Sequence, residues 1–254
     1  MGEPITVLNF DHVYEEQDFY RKEKYTWIDL TDVSGVNGYC DSHAMAVLRK
    51  RLRQRPHARI HFIDSGNYHY VTYLLLEYIR EPFALVLFDH HTDMQQPLFE
   101  ELLSCGCWVR RTLEEHKYLQ EVIMIGMEKR QLEAIDPAYR KRITAYSRQT
   151  VEESDVWEEF AARHIHYPVY ISIDKDVIDT GEAATNWDQG GLTLKQLNEV
   201  YGKICRNHRV LGIDVCGESA DYLGMLERFE ADNSKNNQAN EKILHMIEEK
   251  TFSL

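Results

Sequence analysis

Apolar residues along the chain fall into short continuous runs that alternate with stretches where they recur every three or four positions. The runs are Thr6–Phe10, Ile60–Asp64, Ala84–Phe88, Glu121–Ile125, Ile143–Tyr146, Val169–Asp174 and Val210–Asp214. They are short and rich in Val, Ile and Phe, the pattern of strands buried on both faces. The amphipathic stretches predict helices over Ser42–Arg53, Tyr68–Ile79, Leu98–Ser104, Thr150–His164, Thr193–Asn207 and Asn237–Lys250. Thr150 precedes Glu153, and Thr193 precedes Gln196, at the spacing of a capping box. The alternation predicts an α/β fold with a mainly parallel central sheet covered by helices on both faces. No repeat, low-complexity tract or Pro/Gly/Ser-rich linker divides the chain, so a single domain over residues 1–254 is expected. Tyr14 to Tyr25, rich in charge, reads as a surface excursion, and Glu230 to Asn240 as a solvated loop before the last helix.

A length of 254 residues suits one large domain or two small ones and a sizeable core. Apolar residues at 43% and charged residues at 28% argue against global disorder. The net charge of −13 changes the picture more. It speaks against nucleic-acid binding, which needs a basic face, and the 15 Tyr show no stacking pattern. It also leaves carboxylates free to surround cations. The Cys count is odd (Cys40, Cys105, Cys107, Cys205, Cys216) and no secretory signal opens the sequence, so reduced thiols and a cytoplasmic location are expected. No run of 18 apolar residues predicts a membrane span. Met1-Gly2 with Thr6 formally fits a myristoylation pattern, but Ile5 to Phe10 reads as the first strand.

In parallel α/β sheets chemistry lies beyond the carboxyl ends of the strands. Leu85-Val86-Leu87-Phe88 runs into Asp89-His90-His91-Thr92-Asp93. In extended backbone Asp89, His91 and Asp93 share one face, with His90 and Thr92 on the other. Val169 to Ile173 leads likewise into Asp174-Lys175-Asp176, where the two carboxylates share a face. Burying them unpaired would cost on the order of several kcal/mol each, and cations remove that cost. Val210 to Ile213 leads to Asp214 and Glu218, and Ile60 to Asp64 leads through Ser65-Gly66-Asn67 to Tyr68-His69. One Asp at a strand end is usually a cap or turn residue. Four strands ending in carboxylates or His exceed what capping needs, and a metal site is expected. His69, Asp89, His91, Asp93, Asp174 and Asp176 supply two imidazoles and four carboxylates. That is too many for one tetrahedral zinc and suits two divalent ions sharing carboxylates and a water. Oxygen-rich mixed ligation favours Mn2+, with Fe2+, Co2+ and Ni2+ as alternatives and Zn2+ or Mg2+ behind them.

At these residues the sequence resembles the ureohydrolases: arginase, agmatinase, formiminoglutamase and relatives, of the arginase/deacetylase fold. The family's Asp-Ala-His-x-Asp signature resembles Asp89-His90-His91-Thr92-Asp93, and its Ser-x-Asp-x-Asp-x-x-Asp signature resembles Ser172 to Asp179. Gly66-Asn67-Tyr68-His69 is similar to its Gly-Gly-Asp-His motif, and Trp187-Asp188-Gln189-Gly190-Gly191-Leu192 to Pro-Glu-Pro-Gly-Gly-Leu. The resemblance implies a three-layer αβα sandwich and a binuclear Mn2+ centre on the six ligands above, with Asp93 also a catalytic residue and Asp188 on the substrate side. It implies a metal-bridging hydroxide attacking the carbon of a linear guanidino, ureido or formimino compound, with a C–N bond cleaved.

The departures from the family lie around the substrate. Arginases carry a His-Gly proton shuttle where Ser104-Cys105-Gly106-Cys107-Trp108 stands, so Cys105 becomes a catalytic candidate, or else a small buried residue. The family's guanidinium-gripping Glu falls at Gly217, followed by Glu218, which becomes the substrate-binding candidate. Tyr68 replaces the Asp before the metal His. A working metal centre with a changed small-molecule substrate is therefore expected, without assigning L-arginine. The alternatives are a zinc-type amide deacetylase on the same fold and a catalytically silent metal-binding protein. Family members are often trimers or hexamers, so a homo-oligomer is compatible, although no separate oligomerisation element stands out.

Overall fold

Eight strands lie side by side and all run the same way, because their connections cross over through helices or long loops rather than hairpins. The computed structural model describes residues 3–53, 58–97, 99, 101–152, 165–220 and 226–251. In chain order the strands are β1 (Ile5–Asn9), β2 (Tyr25–Asp29), β3 (Tyr39–Cys40), β4 (Ile60–Ser65), β5 (Phe83–Phe88), β6 (Leu103–Ser104), β7 (Leu119–Ile125), β8 (Ile143–Tyr146), β9 (Val169–Asp174) and β10 (Val210–Glu218). The helices are α1 (Ser42–Arg53), α2 (Val71–Leu76), α3 (Trp108–Glu115), α4 (Lys129–Glu133), α5 (Arg148–Glu152), α6 (Leu194–Asn207) and α7 (Leu226–Thr251). The sheet order is β2-β1-β4-β10-β9-β5-β7-β8, and β3 and β6 form a separate antiparallel pair.

Strand alternation sorts the core into two layers. Phe62, Val86, Phe88, Ile171, Ile173, Ile213 and Val215 pack with Leu197, Val200 and Ile204 of α6 and Ile243 and Ile247 of α7. Ile63, Leu85, Leu87, Met124, Tyr170 and Cys216 pack with residues of α1, α2 and α3 on the other face. This is the expected α/β fold with helices on both sides of a parallel sheet. Helix α6 starts where its sequence says: Thr193 caps it, and both halves of the Thr193/Gln196 capping box form, a cap of the kind worth about 1 kcal/mol. No helix among the described residues is long and apolar enough to cross a membrane.

Several expectations need correction. Tyr14 to Tyr25 is not a surface excursion: Tyr14, Phe19 and Tyr20 are buried, and Phe19 packs on Phe62 with ring centroids 4.5 Å apart. The charges between them face outward and hide the aromatic anchors. This segment leads into β2, an edge strand with only Ile28 buried, which is too weak an alternation to read. Leu98–Ser104 is not a helix: Leu103–Ser104 is β6, paired to β3, and residues 98 and 100 lie outside the described set. The helix expected over Tyr68–Ile79 shortens to α2 behind a helical turn at Gly66–Tyr68. That expected over Thr150–His164 starts earlier, as α5, so Thr150 lies within the helix, and residues 153–164 lie outside the described set. Glu230 to Asn240 is helical, within α7, and Asn233, Asn236 and Asn240 are buried.

Candidate metal centre

The central strands β4, β10, β9 and β5 bring their carboxyl ends together. His69 follows the helical turn after β4, and Asp89 stands one residue beyond β5. Asp93 is reached through a backbone with φ +51°, a conformation that Asp tolerates better than most residues. Asp174 ends β9, and its Oδ1 accepts the backbone N–H of Asp176 at 2.9 Å, which turns the second carboxylate back toward the first. His90 N–H donates to Asp176 Oδ1 at 2.9 Å, and Trp108 Nε1 donates to Asp93 Oδ2 at 2.5 Å. Backbone and indole groups thus fix the carboxylates from behind.

The six expected ligands do converge. His69 Nδ1 lies 3.3 Å from Asp89 Oδ2, 3.3 Å from Asp93 Oδ2 and 3.4 Å from Asp174 Oδ2. His91 Nδ1 lies 2.7 Å from Asp176 Oδ2 and 3.7 Å from Asp89 Oδ1. Asp89 belongs to both groups. Ser172 Oγ donates to Asp214 Oδ1 at 2.6 Å and stands 2.9 Å from His69 Nε2. Its one proton is spent on Asp214, so His69 Nε2 must be the donor to Ser172 Oγ. The lone pair of Nδ1 then faces three carboxylate oxygens. Only a proton or a cation makes that arrangement favourable, and holding the far ring nitrogen by a hydrogen bond is how ligating histidines are oriented. Asp89 Oδ2 is buried with no hydrogen-bond partner, which fits a site for a cation.

The electrostatics make the same demand. Burial, with Asp176 and Asp93 close by, pushes the Asp89 carboxyl well above the ordinary range. Burial and Asp176 also push Asp174 up. Burial opposes charge on His91, yet the hydrogen bond and charge of Asp176 outweigh it and take the ring up to about 10. His69 is likewise held charged against its burial, by Cys216, Asp89 and Asp93. Protons stand here where cations would, and a cation that binds displaces them.

A cavity of about 310 Å³ opens over this cluster. Beyond the ligands its walls include Tyr39, Gln95, Ser104, Cys105, Gln131 and Trp187, all uncharged polar or aromatic groups apart from the thiol. Cys105 lines this cavity, and burial followed by the Asp93 charge pushes its thiol up to about 12. Trp187 turns an edge to His91 at 5.8 Å and donates Nε1–H to Asn67 at 3.0 Å. Tyr39, Gln95 and Gln131 had no signal in the sequence, since the two-residue strand β3, a loop and the short helix α4 carry them from separate regions, whereas Trp187 heads the segment similar to Pro-Glu-Pro-Gly-Gly-Leu. Ser172 and Asp214 also carried a signal, as polar residues in otherwise apolar strands.

The two substrate-side candidates stand elsewhere. Glu218 is not among the cavity's lining residues: it is fully buried, paired with the equally buried Lys175, and held by Gln17 at 2.9 Å and Asn240 at 2.7 Å. Lys175 points away from the carboxylates flanking it, so its charge must be met on the far side, and Glu218 meets it. Asp188 is exposed and does not line the cavity, where its neighbour Trp187 does. Tyr68 donates its hydroxyl to Asp11 at 2.6 Å and stacks on Phe10 at 4.0 Å, a structural tie between β4 and β1.

Gly217 has φ +93°, and a Cβ there would run into Asp174 Oδ1 and lie 2.7 Å from the Lys175 backbone nitrogen. No side chain fits at this position. Gly217→Ala is expected to displace Asp174 and weaken metal binding by about 10–100-fold, the usual cost of disturbing a ligand's support. A chelator-competition titration reads this directly, and unchanged affinity would remove Gly217 from the argument.

The model of the Arginase family matches residues 6–222. An uncharacterized protein of Thermotoga maritima is 30% identical over 216 residues, covering 84% of this chain and 79% of that protein. Among solved structures, proclavaminate amidino hydrolase from Streptomyces clavuligerus superposes with TM-score 0.65 at 14% identity, covering 96% of this chain and 93% of that one. A triple mutant of an arginase-like protein from T. brucei, bound with Mn2+, superposes with TM-score 0.62 at 16% identity, covering 100% and 92%.

Proposed function

The chain belongs to the arginase family, and from that premise we propose that it is a binuclear-metal hydrolase cleaving a C–N bond of a linear guanidino, ureido or formimino compound. The observation that carries the reading is the His69 ring, whose Nδ1 faces three carboxylate oxygens at 3.3–3.4 Å. His69, Asp89, Asp93 and Asp174 would hold one divalent ion, and Asp89, His91 and Asp176 the other. Such ions supply Lewis acidity and an activated water at neutral pH, which a resonance-stabilised carbon requires. An all-nitrogen-and-oxygen set of six supports Mn2+ as the main occupant, as does the Mn2+ of the T. brucei relative.

The chain's own groups do the rest. Trp108 and the backbone N–H groups of His90, His91 and Asp176 hold the carboxylates in place, so little reorganisation is needed when charge develops. Cys105 keeps its proton at neutral pH and presents it at the cavity wall, where a departing nitrogen needs one. No charged side chain other than the ligands lines the cavity among the described residues. The rest of the substrate is therefore recognised by neutral hydrogen bonds from Tyr39, Gln95 and Gln131 and by the Trp187 ring. That favours an uncharged ureido or amide-like group over a free guanidinium cation. The chain is taken as one domain over 1–254, cytoplasmic, and acting on a small molecule.

Metal content and turnover test the reading together. The protein loaded with Mn2+ and freed of loose metal is expected to hold about two ions per chain and to release urea, ammonia or an amine from one member of a guanidino, ureido and formimino panel. One ion per chain with turnover of acyl amides would replace the reading with the deacetylase alternative. Two ions without any turnover would leave a binding protein.

A further inference from the structure

We infer that Cys216 is a donor to the metal centre, a thiolate added to the His69 side of an otherwise nitrogen-and-oxygen set. The inference rests on the two-metal reading above and goes beyond it. Asp214 and Cys216 are alternate residues of β10 and so point to one face of the sheet. Asp214 supports His69 through Ser172, and Cys216 arrives one step further along, beside the ligands themselves. Its Sγ is fully buried and lies 3.2 Å from Asp174 Oδ2, which is itself 3.4 Å from His69 Nδ1. The donor atoms of His69, Asp174 and Cys216 all lie within 4.8 Å of one another.

Metal–donor bonds of roughly 2.0–2.3 Å at tetrahedral to right angles place donor atoms roughly 2.8–3.8 Å apart. The Sγ–Oδ2 and Nδ1–Oδ2 separations fall in that range. A second observation points to the same spot. Asp89 Oδ2, buried and without a hydrogen-bond partner, lies 3.3 Å from the same His69 Nδ1. With no cation present the Cys216 thiol donates to Asp174 Oδ2, the bond that coordination would replace, and among the described residues the other buried cysteines, Cys40 and Cys107, belong to no such group of donors. Coordination replaces the S–H bond of Cys216 with a sulfur–metal bond, and the proton leaves to solvent through the cavity.

A thiolate changes which ion the position prefers. Soft sulfur favours Zn2+, Co2+ or Fe2+ over Mn2+, whereas the Asp89–His91–Asp176 group keeps only oxygen and nitrogen. The centre is thus built unequally, with a softer ion on the His69 side and Mn2+ on the other.

Metal-free full-length protein titrated with Co2+ without oxygen tests this without any enzymatic assay. A near-ultraviolet sulfur-to-cobalt band is expected beside the visible cobalt bands. Cys216→Ser should abolish the near-ultraviolet band while keeping the visible ones, and Cys105→Ser should keep both. The preference for Zn2+ over Mn2+ should fall at least about tenfold in Cys216→Ser. Cys216→Ala is the second variant, and matching near-ultraviolet circular dichroism shows that both fold. Visible bands with no sulfur band, a band that survives Cys216→Ser, or one lost in Cys105→Ser each overturn the inference. Failure of Co2+ to bind at all overturns the two-metal reading itself, and Cys216 with it.

Discussion

Asp176→Ala is expected to lower metal content toward one ion per chain and the hydrolytic rate by about a thousandfold or more, several kcal/mol of transition-state stabilisation. Asp176 does three things at once. Its Oδ2 meets His91 Nδ1 at 2.7 Å, its Oδ1 accepts the His90 N–H at 2.9 Å, and its own N–H fixes Asp174. Removing it frees the His91 ring and deletes one carboxylate from the three-residue group Asp89–His91–Asp176. The His69 group loses no direct donor, so one position should survive. Stability gives an independent readout. A ligand at about a hundred times its Kd stabilises the folded chain by about 2.7 kcal/mol, which for a chain of this size is roughly 5–10 °C in Tm. The wild-type chain should show such a gain from each ion, and the variant should lose about half of it. Full metal content and full activity in the variant would remove Asp176 from the site.

The second large effect concerns stability. Glu218→Ala is expected to destabilise the fold by about 3–5 kcal/mol, because it leaves the Lys175 ammonium buried without a counter-charge. Lys175 and Glu218 are 0% and 1% exposed. Lys175 Nζ also donates to Asn240 Oδ1 at 3.1 Å, while Gln17 bridges Glu218 and Asn233 at 2.9 and 2.7 Å. Every member holds another, so water cannot replace the lost partner without opening the layer between β10 and α7. Lys175→Met should destabilise comparably. The double variant Lys175→Met/Glu218→Leu should recover much of the loss, since a buried pair replaced by apolar residues of similar volume is often neutral. Urea unfolding of the four proteins closes the cycle. Independent, additive losses would show that the two charges do not depend on each other.

The ligands were legible in the sequence because they crowd within a few residues just past two apolar strands, Asp89, His91 and Asp93 after β5 and Asp174 with Asp176 at the end of β9. The shared extended face does not form: the chain turns after each strand, with φ +51° at Asp93 and a helical turn at Lys175–Val177, and those turns bring the carboxylates together while Thr92 also reaches the cavity. The surroundings of Glu218 were hidden for the converse reason. Its role is set by Lys175, 43 positions away, and by Gln17, 201 positions away, and a strand-end carboxylate looks the same whether it meets a substrate or a buried ammonium. Helix α7 shows the same limit in another form. Asn233, Asn236 and Asn240 recur at helical spacing, but a polar stripe ordinarily marks a solvated face, and only the buried partners Gln17, Ala184 and Lys175 explain why this one faces inward. Tyr14, Phe19 and Tyr20 were obscured by the charges around them. The cavity walls were illegible because Tyr39, Gln95 and Gln131 come from a two-residue strand, a loop and a five-residue helix, all too short for a periodicity to read.

The position of β10 has a consequence for how the chain assembles. Sequence order and spatial order disagree at the middle of the sheet: the strand made last lies between β4 and β9. As the polypeptide emerges from the ribosome, β1, β2 and β4 can pair on one side and β5, β7, β8 and β9 on the other, but no strand of the main sheet joins the two groups, which meet only through the short β3–β6 pair and the packing of α2 on α3. His69 belongs to the first group, while Asp89, His91, Asp93, Asp174 and Asp176 belong to the second. Two half-sheets with open edges must therefore wait for residues 210–218, a non-local closure that is slow and exposed to aggregation. The His69 side of the centre is expected to complete only once β10 has inserted, because Asp214 of that strand fixes the His69 ring through Ser172.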